Sequence, residues 1–219
     1  HSFPTRRSSD LVGGNIRNTG TIARTGIRRL NADGSIDTSF FIQEMSLGSI
    51  VYDIKLQSDG KIMIGGVFSI TNTSTKYLAR LNADGTHDPT FFWNVSNIVI
   101  KEVEIQPDGK IVAGGFNAGS APILYRFNTD GSADSSFSSI ETGNGNIEAV
   151  ELQADGKIVI AGGYTTIRGN NNGRISRLNA DGTFDAGFNP GGIGANGAIY
   201  DIAFRTDEKI LISGAFSGF

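Results

Sequence analysis

The chain has 219 residues, 38% of them hydrophobic and 19% charged, a make-up that fits a globular protein with a sizeable core and not a disordered chain. A net charge of −3 argues against the basic stripe that nucleic acid or an anionic membrane surface would need. There is no Cys, which removes disulfides and thiolate metal sites, and no apolar run approaches the roughly 20 residues of a membrane helix, so no membrane insertion is expected.

The first eleven residues, HSFPTRRSSDL, match nothing that follows and lack the apolar region and small-residue cleavage site of a signal peptide. Read back into nucleotides they resemble a common sequencing adapter in frame. Residues 1–11 are therefore set apart as a non-native segment, and a repeat domain is expected over 12–219. On this reading the natural N-terminus and any signal peptide lie outside the sequence. The other end, ISGAFSGF, stops in mid-repeat, as in an internal fragment of a longer protein.

From Leu11 onward two motifs alternate. LVGG, from Leu11 to Gly14, is the tail of one copy of the second motif. The first motif is RLNADGSIDTSF from Arg29; it returns as RLNADGTHDPTF, RFNTDGSADSSF and RLNADGTFDAGF, so its Arg recurs at Arg80, Arg126 and Arg177, after 51, 46 and 51 residues. Between these stand IKLQSDGKIMIGGVF from Ile54, VEIQPDGKIVAGGF from Val103, VELQADGKIVIAGGY from Val150 and IAFRTDEKILISGAF from Ile202. Runs such as KIMIGG are short, apolar and bounded by turn residues, while YLARLN alternates apolar and polar; both read as strands, and no stretch carries a helical period. In QPDGK, Pro107 and Asp108 fit the centre of a type I turn and Gly109 the left-handed position after it. Glu208 takes that Gly position in the last copy, where it must strain the turn or change its type.

Each repeat is thus two hairpins, four short strands in about 50 residues, the size and make-up of a β-propeller blade. The fold expected is all-β: three whole blades near 51–91, 98–137 and 147–188, with half a blade at each end, near 21–40 and 198–216, arranged as an open arc. The combined pattern, best preserved in RLNADGTFDAGFNPGGIGANGAIYDIAF and the QxDGK hairpins, resembles the delta-60 repeat, a bacterial β-propeller-like family of uncharacterised function. The resemblance implies a propeller and an exported or cell-surface protein; it implies no catalytic residues.

The turn residues Asn31, Asp33 and Gly34, with their counterparts Asn82, Asp84 and Gly85, Asn128, Asp130 and Gly131, and Asn179, Asp181 and Gly182, offer oxygen at short spacing, as a row of cation sites would. A calcium loop would place a carboxylate two residues ahead of the Asn, where Arg29, Arg80, Arg126 and Arg177 stand instead. They are read as tight turns, with the following Asp accepting from local amides or from the Arg, a structural tie. Phe40, Phe91, Phe137 and Phe188 are read as packing between blades, and Trp93 as interface packing or a sugar platform.

What varies between copies lies on the strand before each QxDGK turn. Asp53 and Lys55, Glu102 and Glu104, Ala149 and Glu151, and Asp201 and Ala203 share one strand face, which lines an acidic channel if that strand is innermost and is a solvated edge otherwise. Glu102 and Glu104, about 7 Å apart by strand geometry, could serve a glycosidase. The remaining chemistry is thin: His87 sits at a variable turn position that suits a tolerant surface site, and there is no G-x-S-x-G or H-E-x-x-H. The Gly-rich run from Gly191 links strands, so it has no helix N-terminus for phosphate. No cofactor or metal is expected. The function expected is a non-catalytic binding or structural module of an extracellular or surface bacterial protein, with an unknown protein or carbohydrate ligand. The alternative is a propeller hydrolase or lyase acting through channel-facing residues.

Overall fold

The computed structural model describes residues 9–16, 26–41, 45–46, 48–93, 97–171, 173–189 and 194–219; Thr21 and the run from Gly191 to Ile193 lie outside them. The chain forms two compact units, His1–Ser96 and Asn97–Phe219. Every strand pairing is antiparallel, and the described residues contain no helix.

The first unit holds β1 (Ser9–Gly13), β2 (Ile27–Asn31), β3 (Ile50–Leu56), β4 (Ile62–Ser69) and β5 (Lys76–Leu81). β1 pairs with β2, and a second sheet runs β3-β4-β5. Ser9, Asp10 and Leu11, from the segment set apart by sequence, take part in β1, and Leu11 packs against the core.

The second unit holds β6 (Ile98–Ile105), β7 (Ile111–Asn117), β8 (Pro122–Phe127), β9 (Ile147–Leu152), β10 (Ile158–Gly162), β11 (Thr166–Ile167), β12 (Asn170–Asn171), β13 (Ile175–Leu178), β14 (Ile199–Phe204) and β15 (Ile210–Gly214). Its sheets run β6-β7-β8, β9-β10-β13 and β14-β15, with β11 and β12 a small inserted hairpin. The fourth strand of a blade is one bridged residue at the far edge: His87 against Leu81, Ala133 against Phe127, Phe184 against Leu178. It is that short because the Asp that follows directly accepts from the amide two residues further on, as Asp134 does from Ser136 at 3.0 Å, and turns the chain out of the sheet.

The central strands explain the unbroken apolar runs. Ile62 to Gly66 of β4 and all of β10 are buried, and the sheet of β10 is covered on both faces by its neighbours. In β10, Ile158 and Ile160 join Val112, Leu124 and Val150 on one side, while Val159 and Ala161 join Ile199 and Ile202 on the other. In the first unit Ile27, Val51, Ile62, Ile64 and Leu81 make the corresponding layer. Phe40, Phe91 and Phe137 are buried and Phe188 is half-buried.

Candidate functional site

The turn residues are occupied by their own hairpins. Gly34 N–H donates to the Asn31 carbonyl at 2.9 Å, and Asp33 Oδ1 accepts from the Ser35 amide at 2.9 Å and its hydroxyl at 2.6 Å. Asp84, Asp130 and Asp181 accept from Thr86, Ser132 and Thr183 in the same way. The Asp that follows takes the Arg eight residues before it: Arg80 Nε donates to Asp88 Oδ2 at 2.7 Å and Arg126 Nε to Asp134 Oδ2 at 2.7 Å, with Arg29–Asp37 and Arg177–Asp185 at 2.8 Å. Each Arg also lies over its own repeat's Phe, from 4.6 Å at Phe137 to 5.1 Å at Phe91.

The Lys of QxDGK completes three of these ties, which sequence reasoning missed. Lys61 reaches Asp88 at 2.8 Å, Lys110 reaches Asp134 at 2.8 Å and Lys157 reaches Asp185 at 3.1 Å. Lys157 and the Gly187 amide, with Arg177 beside them, hold the Asp185 carboxyl down at about 2.

The variable residues stand on β3, β6, β9 and β14, each an edge strand of its sheet. All four strands carry a β-bulge at one position, with Tyr52, Lys101, Glu148 and Tyr200 as the extra residues. The glycine opposite makes the bulge possible: a Cβ on Gly66, Gly115, Gly162 or Gly214 would lie 1.9 to 2.1 Å from a carbonyl oxygen of that edge strand or of the residue just before it. The bulge re-aims a third variable column that period-two counting assigns to the opposite face. Its sequence signal was the column itself, Tyr, Lys, Glu and Tyr beside an invariant Gly-rich strand.

In the first unit Asp53 Oδ1 accepts from the Ile54 amide at 2.8 Å, Lys55 stands 3.9 Å from Asp53, and Tyr52 is exposed. In the second unit the edge is denser. The carboxylates of Glu102, Glu104 and Glu151 are half-buried and each offers an oxygen within 4.8 Å of the others. Glu102 Oε2 also accepts from the Val150 amide at 2.8 Å, fixing it across from β6 to β9. Beside them Lys101 and Glu148, the two bulge residues, pair at 3.2 Å. Asp201 is not brought into this group; it is exposed and takes the Ile202 amide at 2.9 Å. Ala149 is buried, so its side chain belongs to packing. Three converging carboxylates can hold a divalent cation or meet a cationic side chain.

Trp93 keeps its packing reading, while the expectation for His87 changes. Trp93 is 9% exposed and packs into the core, which leaves no open face for a sugar to stack on. His87 is half-buried with Nε2 3.1 Å from Oγ1 of buried Thr75, and burial lowers its pKa against the pull of Asp88; its turn position is not a free surface site, because the Thr75 loop folds over it.

Small antiparallel sheets in repeat order, four of them with the same bulged edge, define a β-propeller repeat protein. The family described as a beta-propeller domain of unknown function (DUF5122) matches residues 11–40, 57–91, 106–137 and 153–188, and the chain belongs to that family. Among curated proteins none matches the sequence. Among solved structures it is similar to a protein of unknown function from Bacteroides caccae, at TM-score 0.55 and 15% identity, covering 93% of this chain and 64% of that one. It is also similar to a protein described as a "putative gluconolactonase", at TM-score 0.50 and 15% identity, covering 87% of this chain. The chain spans 64% of the length of each, and at this identity the likeness is one of fold.

Proposed function

We propose that the chain is a non-catalytic binding or structural module of a secreted or cell-surface bacterial protein, and that the acidic edge of the second unit is its ligand face. One observation carries the reading. The charged residues common to the repeats are consumed by ties, whereas Glu102, Glu104 and Glu151 converge at positions that differ between repeats. The resemblance to delta-60 repeats supports the exported setting. Such a face favours a cationic protein segment over a neutral sugar, since Trp93 is buried. Titration calorimetry with a Lys-rich peptide tests this. Binding is expected to weaken with salt and to be lost in the Glu102→Gln, Glu104→Gln, Glu151→Gln triple variant, while a neutral oligosaccharide gives no heat; undiminished binding by that variant overturns the assignment.

The second reading, a propeller hydrolase, is favoured by the paired carboxylates and by the fold likeness to the "putative gluconolactonase". Gluconolactone hydrolysis that falls in Glu102→Gln would establish it over the first.

A further inference from the structure

Three repeats carry an Asn four residues ahead of the bulge residue: Asn97 before Lys101, Asn144 before Glu148 and Asn196 before Tyr200. In two of them its carboxamide staples the loop to the chain three residues past the bulge glycine. Asn144 Oδ1 accepts from the Thr165 amide at 2.9 Å and the Thr166 amide at 2.8 Å, and Nδ2 donates to Thr165 Oγ1 at 2.8 Å. Asn196 makes the same three bonds, with the Ser217 amide at 2.9 Å, the Gly218 amide at 3.1 Å and Ser217 Oγ at 3.1 Å.

The repeat of β3 to β5 differs. Gly48 stands four residues before its bulge residue Tyr52, while the hydroxyl partner is kept as Ser69, three residues past Gly66. A Cβ on Gly48 would meet nothing within 4 Å. Where the other repeats hold a carboxamide, this one has a cleft of about 260 Å³ lined by Ser46, Ser49, Ser69, Lys76 and Tyr77, all from the one repeat. Its walls are fixed by backbone bonds: the Ser46 amide donates to the Ser69 carbonyl at 2.9 Å, and the Ile70 amide to the Thr75 carbonyl at 3.0 Å, which closes the loop leading to Lys76. The Ser46 and Ser49 hydroxyls stand 3.2 Å apart. Among the described residues nothing pairs with the half-buried Lys76 ammonium or with the Ser69 hydroxyl.

We propose that this cleft binds a sugar acid by its carboxylate. A carboxylate is planar like the carboxamide of Asn144 and accepts from a hydroxyl in the same way, and Lys76 supplies the cation that its charge requires. One ammonium matches one carboxylate, whereas a phosphate dianion would bring a charge without a partner. The Ser46 and Ser49 hydroxyls can each donate and accept, as the hydroxyls of a sugar ring demand, and Val67 beside the Tyr77 ring offers its carbons an apolar wall. The volume, small for a ligand pocket, limits the site to a single ring. The site is separate in sequence and opposite in charge to the acidic edge at Glu102, Glu104 and Glu151.

NMR titration of the whole chain with D-glucuronate tests the proposal. Saturable shifts are expected at the amides of Gly48, Ser49 and Ser69, with a Kd on the order of 1 mM, and D-glucose and acetate are expected to bind at least about tenfold more weakly. Gly48→Asn puts the carboxamide of the other repeats into the cleft on a left-handed backbone that Asn97 already adopts at the same position, with φ of 62° against 86° at Gly48; it is expected to abolish binding. Lys76→Gln is expected to weaken glucuronate about tenfold and to remove its preference over glucose. The Glu102→Gln, Glu104→Gln, Glu151→Gln variant is expected to bind glucuronate as the wild type does, which keeps this result apart from that of the acidic edge. Absence of saturable shifts, equal binding of glucose or acetate, or undiminished glucuronate binding by Gly48→Asn or Lys76→Gln overturns the proposal.

Discussion

Burial opposes ionisation of Asp88, but bonds from Lys61, from the Thr90 hydroxyl and amide and from Arg80 outweigh it, so the carboxyl titrates below the ordinary range. Asp134 is lowered by Lys110 and Ser136, and Asp37 is brought to about 2 by the hydroxyl and amide of Ser39 and then Arg29. In the unfolded chain these groups take up protons near about 3.9. Between that pH and the folded values, the unfolded state binds protons that the folded state does not, so stability present above about pH 4 is lost as pH falls toward about 2. Urea unfolding midpoints are expected to decline across that window, and Asp88→Asn to flatten the decline while lowering the midpoint at neutral pH. A profile unchanged between pH 4 and 2 contradicts the ties. At Glu208 the turn keeps its form, with Glu208 N–H bonded to the Arg205 carbonyl at 3.0 Å, and the residue is left at φ 62°. Glu208→Gly is expected to raise stability by about 1 kcal/mol; an unmoved denaturation midpoint would show that the turn carries no such strain.

At the scale of elements, the hairpin turns and the bulges make separate predictions. The N-x-D-G turns use their oxygens internally, so calcium is expected to leave the melting temperature of the Glu102→Gln, Glu104→Gln, Glu151→Gln variant unchanged. That variant removes the one carboxylate cluster of the described residues, and a saturable rise that a chelator reverses would make the turns cation sites. For the bulges, Gly115→Ala puts a methyl 1.9 Å from the Val99 carbonyl in ideal geometry. The edge strand must then part from β7, at a cost of about 1–3 kcal/mol, read from equilibrium unfolding. A neutral result would mean that the bulge does not depend on the missing Cβ.

For the whole molecule, each compact unit has a hydrophobic layer of its own, around Ile62 and Ile64 in the first and around Ile158 to Ala161 in the second. Repeat proteins draw their stability from such nearest-neighbour layers. Residues 97–219 expressed alone are therefore expected to melt cooperatively, and a broad, non-cooperative transition would count against an independent core. No helix of the described residues is long and apolar enough to cross a membrane.

The repeat, the strands and the turns were legible because they are local: Asn31 with Gly34 and Ser35, or Gln106 with Gly109 and Lys110, close their hairpins with residues three or four apart. The blade followed from the period of those hairpins, and the Arg29 to Asp37 tie lay within reach because a two-stranded turn brings the partners together. What the chain order concealed is whatever one strand does to another. Lys61 meets Asp88 only after β4 and β5 have folded between them. Tyr52, Lys101, Glu148 and Tyr200 change direction only because a neighbouring glycine lets the edge strand bulge, and strict alternation along the sequence cannot register an inserted residue. Glu102, Glu104 and Glu151 were each visible as variable acids, but their convergence needed β6 and β9 to be packed side by side, a distance that sequence separation does not encode.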